Sequence, residues 1–207
     1  MNTKSLSAIA VVLSLLVGVT LFYVGCKDDD SPTTPSGPTT SYGSGTITAT
    51  SSAGSLSFTG TGAWPIQAGP SVLAVYDTSV GSGVFIVYGY QRVSGPNYNV
   101  IALVVFMPTK VDTGTHYPPS QSLVAVAYNV DTSSHSDSLA YAAVSGSITV
   151  SSVSGSNVMG TYSVMARKGT GLAIQFTGTF NVMYVVGTMP EDRSRSIYRR
   201  ASWPSAL

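Results

Sequence analysis

Charge is what this sequence has least of. Of 207 residues, 10 are Lys or Arg and 9 are Asp or Glu, so charged side chains make up 9%, against roughly 25% in an average soluble domain. That removes any electrostatic case for a nucleic-acid partner. A single cysteine excludes an internal disulfide framework. After residue 45 no long stretch carries a 3.6-residue apolar period, which speaks against a helical domain. There is no G-x-S-x-G nucleophile elbow and no glycine-rich phosphate loop leading into a helix, and nothing calls for a cofactor.

What remains is a chain polar through Ser, Thr, Gly and Asn and 43% apolar, heavy in Val, Tyr and Ala. That is ample for a core and argues against disorder over the middle of the chain. The composition suits a secreted β-rich protein whose outward faces carry hydroxyls.

The lone cysteine marks an address. Lys4 precedes an uncharged, mostly apolar run over residues 6–24, which ends in Gly25 and Cys26. In outline this is a secretory signal, with an apolar run long enough to compete with a membrane-spanning helix. A small residue followed by Cys straight after such a run resembles the lipobox of bacterial lipoproteins. Val24 and Gly25 match the two preceding positions, while Tyr23 departs from the usual Leu. The resemblance implies cleavage before Cys26, acylation of its thiol with diacylglycerol and of its new amine, and a palmitate-type anchor in a membrane. Lys27, Asp28, Asp29 and Asp30 resemble the export signal of Bacteroidota-type surface lipoproteins, which implies the outer membrane and its outward face. Residues 1–25 are thus expected as a signal-peptide helix. Residues 26–44, rich in Pro, Ser, Thr and Gly, are expected as a flexible tether.

From about residue 45 to 187 the pattern is β. Short runs of β-branched and aromatic residues alternate with turn chemistry such as "VSGPN" (93–97) and "VSGSN" (153–157). Strands are expected at 45–52, 55–61, 71–77, 83–92, 98–107, 121–130, 138–144, 146–153, 157–167 and 171–186. About ten short strands predict an all-β antiparallel β-sandwich, or alternatively a closed, lipocalin-like β-barrel. Residues 146–153 and 171–182 alternate, so each has one face on a core and one in water. Residues 84–90 and 100–107 are apolar on both parities. They need cover on both sides, from residues 63–70 or the loop with Tyr117, Pro118 and Pro119, or else they offer a binding surface. An internal echo joins "GTITATSSAGS" (45–55) to "GSITVSSVSGS" (146–156). Duplicated halves or the limited vocabulary of hairpins both account for it.

The hairpin "SGSITVSSVSGSNVMGTYSV", the following "FTGTFNVMY" and the "TGTHY" at 113–117 are similar to small uncharacterised lipoprotein domains of Bacteroidota and related bacteria. The resemblance implies a Cys-anchored, sandwich-like fold and brings no activity.

Candidate chemistry is sparse. Asp77, Asp112, Asp131 and Asp137 all fall in turn sequence, where Asp caps the backbone. The rival reading is a carbohydrate-active hydrolase with two of them converging in one cleft. "DTSSHSD" gathers Asp131, His135 and Asp137 as a weak Ca²⁺ candidate, and His116 with His135 is a weaker pair for zinc. Aromatics are the better clue: Trp64, Tyr76, Tyr88, Tyr90, Tyr98 and Tyr128 either serve as core and interface-capping residues or form an exposed strip stacking on a glycan or protein partner. Alternatively, Tyr88, Val104 and Phe106 would line a barrel cavity for a small apolar ligand. Thr46, Thr48 and Thr50 resemble ice-binding faces, without a sustained repeat along the chain. Residues 188–207 hold four of the six Arg and are expected as a flexible basic tail. The expected function is a membrane-anchored envelope lipoprotein with a non-enzymatic β domain.

Overall fold

The structure, a computed structural model, describes residues 40–64, 69–79, 83–95, 97–131 and 140–187. All eleven strands belong to a single sheet. They are β1 (Thr40–Ser51), β2 (Gly54–Trp64), β3 (Ser71–Asp77), β4 (Val84–Ser94), β5 (Asn97–Phe106), β6 (Gly114–His116), β7 (Ser122–Asp131), β8 (Ala140–Ser154), β9 (Asn157–Lys168), β10 (Ile174–Met183) and β11 (Val185–Val186). The order across the sheet is β11-β3-β4-β5-β7-β8-β9-β10-β1-β2, with β6 on β8. Every pairing is antiparallel except the short β11–β3 pair.

The all-β expectation is met, and the two layers are halves of one continuous sheet curled into a half-barrel. Glycines on its inner face make the curl possible. A methyl group at Gly89 of β4 would stand 2.5 Å from both Ile47 Cγ2 and Phe58 Cδ2, side chains of β1 and β2. Phe180 lies over Gly160, and Tyr162 lies over Gly178. Large rings thus seat in notches that only a residue without a Cβ leaves open. The two ends of the sheet meet in the same way: Gly62 of β2 rests on β3, where a methyl would come 2.6 Å from Leu73 Cα. After β10 the chain turns at Tyr184, whose ring packs edge-on to Tyr76 (6.4 Å) and Phe85 (5.8 Å), and β11 then pairs with β3.

Two apolar clusters result. The inner one runs through every long strand and holds Ile47, Phe58, Phe85, Ile101, Leu103, Ile148, Phe176 and Phe180. The second lies on the outer face of β3, β4, β5 and β7, with Leu73, Val75, Ile86, Tyr88, Val100, Val104 and Leu123. These strands are therefore apolar on both parities because both faces are buried, and the burial is found within the single chain. Tyr42, Phe106, Ala142 and Val185 pack against the outer cluster. Tyr117, expected as cover, is 56% exposed, and residues 65–68 lie outside the described residues.

Four boundaries differ from the sequence reading. The strands expected at 138–144 and 146–153 are one strand, β8, bent by register shifts at Ala143/Ser145 and Val150/Ser152. At the first bend Gly146 takes φ 115° and packs its backbone on Ser163 and Val164. The shifts insert residues that straight alternation does not anticipate. The last strand begins at Ile174 and breaks at Tyr184. Residues 114–116 form β6 on the edge of β8, inside the segment expected as a turn. β1 also begins at Thr40, within the stretch expected as tether.

Phe180→Ala removes the ring over Gly160. It is expected to lower stability by about 3–5 kcal/mol in chemical denaturation. Gly89→Ala overpacks the interior and is expected to cost roughly 1–3 kcal/mol. Wild-type midpoints for both variants would contradict the curl.

Candidate binding face

Opposite the inner core, the strands of the second half carry hydroxyls outward. Strand register arranges them in ranks. Thr115 pairs with Thr149, Thr149 with Thr161, and Thr161 with Thr179. Thr179 meets Thr48, their hydroxyls 3.1 Å apart, and Thr48 pairs with Ser57. One rank therefore crosses β6, β8, β9, β10, β1 and β2. A second, two residues along each strand, runs Ser147, Ser163, Thr177, Thr50 and Ser55. Between the two ranks lies a shallow depression of about 450 Å³, lined by residues of both and floored by Gly178 and Tyr162.

Hydrogen bonds fix these side chains. The Thr115 and Thr149 hydroxyls lie 3.2 Å apart, and beside the first rank those of Thr46 and Thr59 lie 3.0 Å apart. Thr179 N–H donates to Thr48 Oγ1 at 3.0 Å, and Gln175 Nε2 donates to Ser163 Oγ at 3.1 Å. Beneath them Tyr162 O–H donates to the Thr48 carbonyl at 2.6 Å, across the gap left by Gly178. Neither rank contains a charged residue. Met159 (43% exposed) and Met165 (37%) stand on β9 at either end of Thr161 and Ser163.

The echoed stretches hold equivalent places. Each opens a hairpin, β1–β2 or β8–β9. Ile47 pairs with Phe58 as Ile148 pairs with Tyr162, all pointing inward. Thr48 and Thr149, the next residues, fall in the same rank.

The sequence-predicted aromatics do not share a surface. Tyr76 points into the inner cluster, its hydroxyl donating to the Met107 carbonyl at 2.7 Å. Tyr88, Tyr90 and Tyr98 are buried in the outer cluster. Tyr128 is half-buried against the inner cluster, with its hydroxyl on the Gly54 carbonyl at 3.0 Å. A bulge between β5 and β7 separates it from Tyr98: Asn129 takes φ 49°, and its N–H donates to Asn99 Oδ1. Trp64 ends β2, and its side chain is outside the description. Tyr88, Val104 and Phe106, expected around an interior cavity, lie instead on the outer side of the sheet, because their parity is opposite to that of Phe85, Val87 and Val105.

The two described aspartate side chains act locally. Asp77 accepts from Ser79 N–H (2.8 Å) and its hydroxyl (2.7 Å). Asp112 accepts from Thr113 N–H and lies 3.2 Å from Lys110 Nζ. The Thr113 bond, then Lys110, hold its carboxyl below the usual range. Asp131 contributes backbone to β7 opposite Asn97, while His135 and Asp137 lie outside the described residues. Among the described residues no three His, Cys, Asp or Glu gather as a metal site. His116, on β6, is held below the usual histidine range by burial. Cys26, Lys27, Asp28, Asp29, Asp30 and residues 188–207 also lie outside the described residues. Comparison with known proteins found no matching family model, curated protein or solved structure.

Sequence reading missed the hydroxyl ranks because their repeat runs across strands. The available signal was Thr-x-Thr or its Ser equivalent at 48–50, 147–149, 161–163 and 177–179.

Burial raises the Tyr162 hydroxyl far above its ordinary value, and burial also raises Tyr76. Unfolded tyrosine ionises near pH 10. Below that pH both states keep the proton; above it the unfolded chain loses it first, so stability falls as pH rises. Tyr162→Phe is expected to cost about 0.5–1.5 kcal/mol at neutral pH through the lost bond to Thr48, and to lose less than wild type between pH 9 and 11. Equal alkaline losses in urea titrations would contradict this.

Proposed function

We propose that this chain is a lipid-anchored protein of the bacterial cell envelope, whose non-enzymatic β domain binds or supports a partner outside the cell. The observation that carries the reading is Cys26, placed after Val24 and Gly25 at the end of a 19-residue apolar run. Acylated there, it would hold the chain in the outer membrane with several acyl chains on one residue, the multiple signals that stable anchoring takes. Lys27 and the three aspartates support export to the outward face, and the Pro-rich residues that follow act as a spacer. With Thr40 already in strand, that spacer is 13 residues, 27–39, long enough to span about 40 Å if extended.

The composition of the domain supports binding over catalysis. Its polar surface is built of hydroxyls, and its aspartates at 77 and 112 serve their own turns. The partner is a glycan or a protein at the cell surface, with no electrostatic attraction to nucleic acid, and the hydroxyl-bearing face is the surface best suited to it. A hydrolase would need two free carboxylates at a shared cleft.

The test is mass spectrometry of the protein purified from membranes of a host that processes lipoproteins. The expected mature chain begins at acylated Cys26, and Cys26→Ala is expected to leave it unacylated and the leader uncleaved. Wild-type protein with residues 1–25 attached and an unmodified thiol would overturn the reading.

A further inference from the structure

The outer apolar face of β3, β4, β5 and β7 is buried, yet no other layer of described residues lies over it. Leu73, Ile86, Tyr88, Ala102, Val104 and Ala125 are each at most 6% exposed. The partly buried residues that pack against this cluster, Tyr42, Phe106, Ala142 and Val185, are strand residues of the same sheet. They frame the face and do not roof it. Ala102 pairs with Ala125, and Ala125 with Ala142, so a trough of short methyl groups crosses β5, β7 and β8. Neighbours within one sheet do not hide side chains this short. Tyr88, Tyr90, Tyr98 and Phe106, whose rings belong to this side, each make a further polar or ring contact.

From this burial we infer that the face is the seat of the chain's own apolar leader, residues 6–24. A layer over four strands must fill about 15 Å by 20 Å. The internal stretches outside the described residues, chiefly 65–68, 80–82 and 132–139, are too short and hold few apolar residues: Ile66, Ala68, Val80 and Leu139. The stretch after residue 187 carries Glu191, Asp192 and four Arg, and seating it there would strip those charges of water. Residues 6–24 carry no charge. As the helix expected of them they are about 28 Å long and about 10 Å across, dimensions that suit the alanine trough. The path fits as well. Tyr42, near the start of β1, packs against this cluster, so the chain enters the domain at the margin of the face. Residues 25–39 reach about 50 Å when extended, enough to bring the run back over it. Helix on sheet then covers the second apolar side of these strands. If Cys26 is processed as proposed above, cleavage removes the cover and bares the face on the mature domain, so the leader is a mask as well as an address. The seat itself does not depend on that processing.

For the test, the full chain with Cys26→Ala is made by cell-free translation into detergent, where no peptidase removes residues 1–25. The photo-crosslinker p-benzoylphenylalanine takes the place of Tyr88. Irradiation is expected to give crosslinks within the monomer, mapped by mass spectrometry to residues 6–24. The same probe in place of Thr161, exposed on the hydroxyl face, is expected to give none there. Val12→Asp with Leu16→Asp, one helical turn apart on the leader, is expected to abolish the leader crosslinks from position 88 with strand content by circular dichroism retained. Products that link two copies, reach residues 188–207 or carry only detergent, without the leader, overturn the inference. Leader crosslinks that survive the double substitution overturn it too. Such a failure leaves the acylation of Cys26 standing, because the mass of the mature wild-type chain reads that separately.

Discussion

The seating of large rings against glycine backbone inside the curled sheet is the interaction on which the rest of this structure depends. A β-sheet with bulky residues on every inner position could not close to this radius. Gly89 leaves space for Ile47 and Phe58, Gly160 for Phe180, and Gly178 for Tyr162. The Gly89 notch brings β4 against β1 and β2 across the interior, while Gly160 and Gly178 take the rings of their directly paired neighbours on β10 and β9. The resulting core is dense and is sealed at its seam by Tyr184 packing on Tyr76 and Phe85.

The same curl sets the outer surface. Inward and outward residues alternate along β9 and β10 and the paired part of β1, so the register that aligns Ile47, Phe180 and Gly160 inside also aligns Thr48, Thr179 and Thr161 outside. Core packing thereby imposes the ranks. The bends in β8 mark where the sheet changes character. Before the first of them Ala140 and Ala142 pack in the outer apolar cluster, and after it Ser147 and Thr149 join the hydroxyl face. One sheet thus has a half buried on both sides and a half with one wet face, which fits a domain with too few charges to solvate itself any other way.

Much of this was legible in the sequence. Alternation gave the right inner face from Ile174 to Val182, though not at Leu172, which precedes the strand and is exposed, and the two-sided apolar runs at 84–90 and 100–107 reported burial on both sides. What local pattern could not supply was anything created by pairing across the sheet. The bulge at Asn129 turns Tyr128 away from Tyr98, so tyrosines close in sequence part company. Ser145 read as the gap between two strands but lies at the bend of one. The Thr-x-Thr segments looked irregular because up to 131 residues separate partners in a rank, as with Thr48 and Thr179. Cys26 and its neighbours carry the reading of location, and that argument rests on sequence alone.

The central claim is that Gly89 receives Ile47 and the Phe58 ring from the opposite half of the sheet. Nuclear Overhauser spectroscopy of the isotopically labelled protein tests it most directly. The structure predicts strong cross-peaks from the Gly89 α-protons to the Phe58 ring and to the Ile47 γ-methyl, with the α-protons shifted by the ring current. Gly89 α-protons at ordinary shifts, with cross-peaks only to β3 and β5, would contradict it.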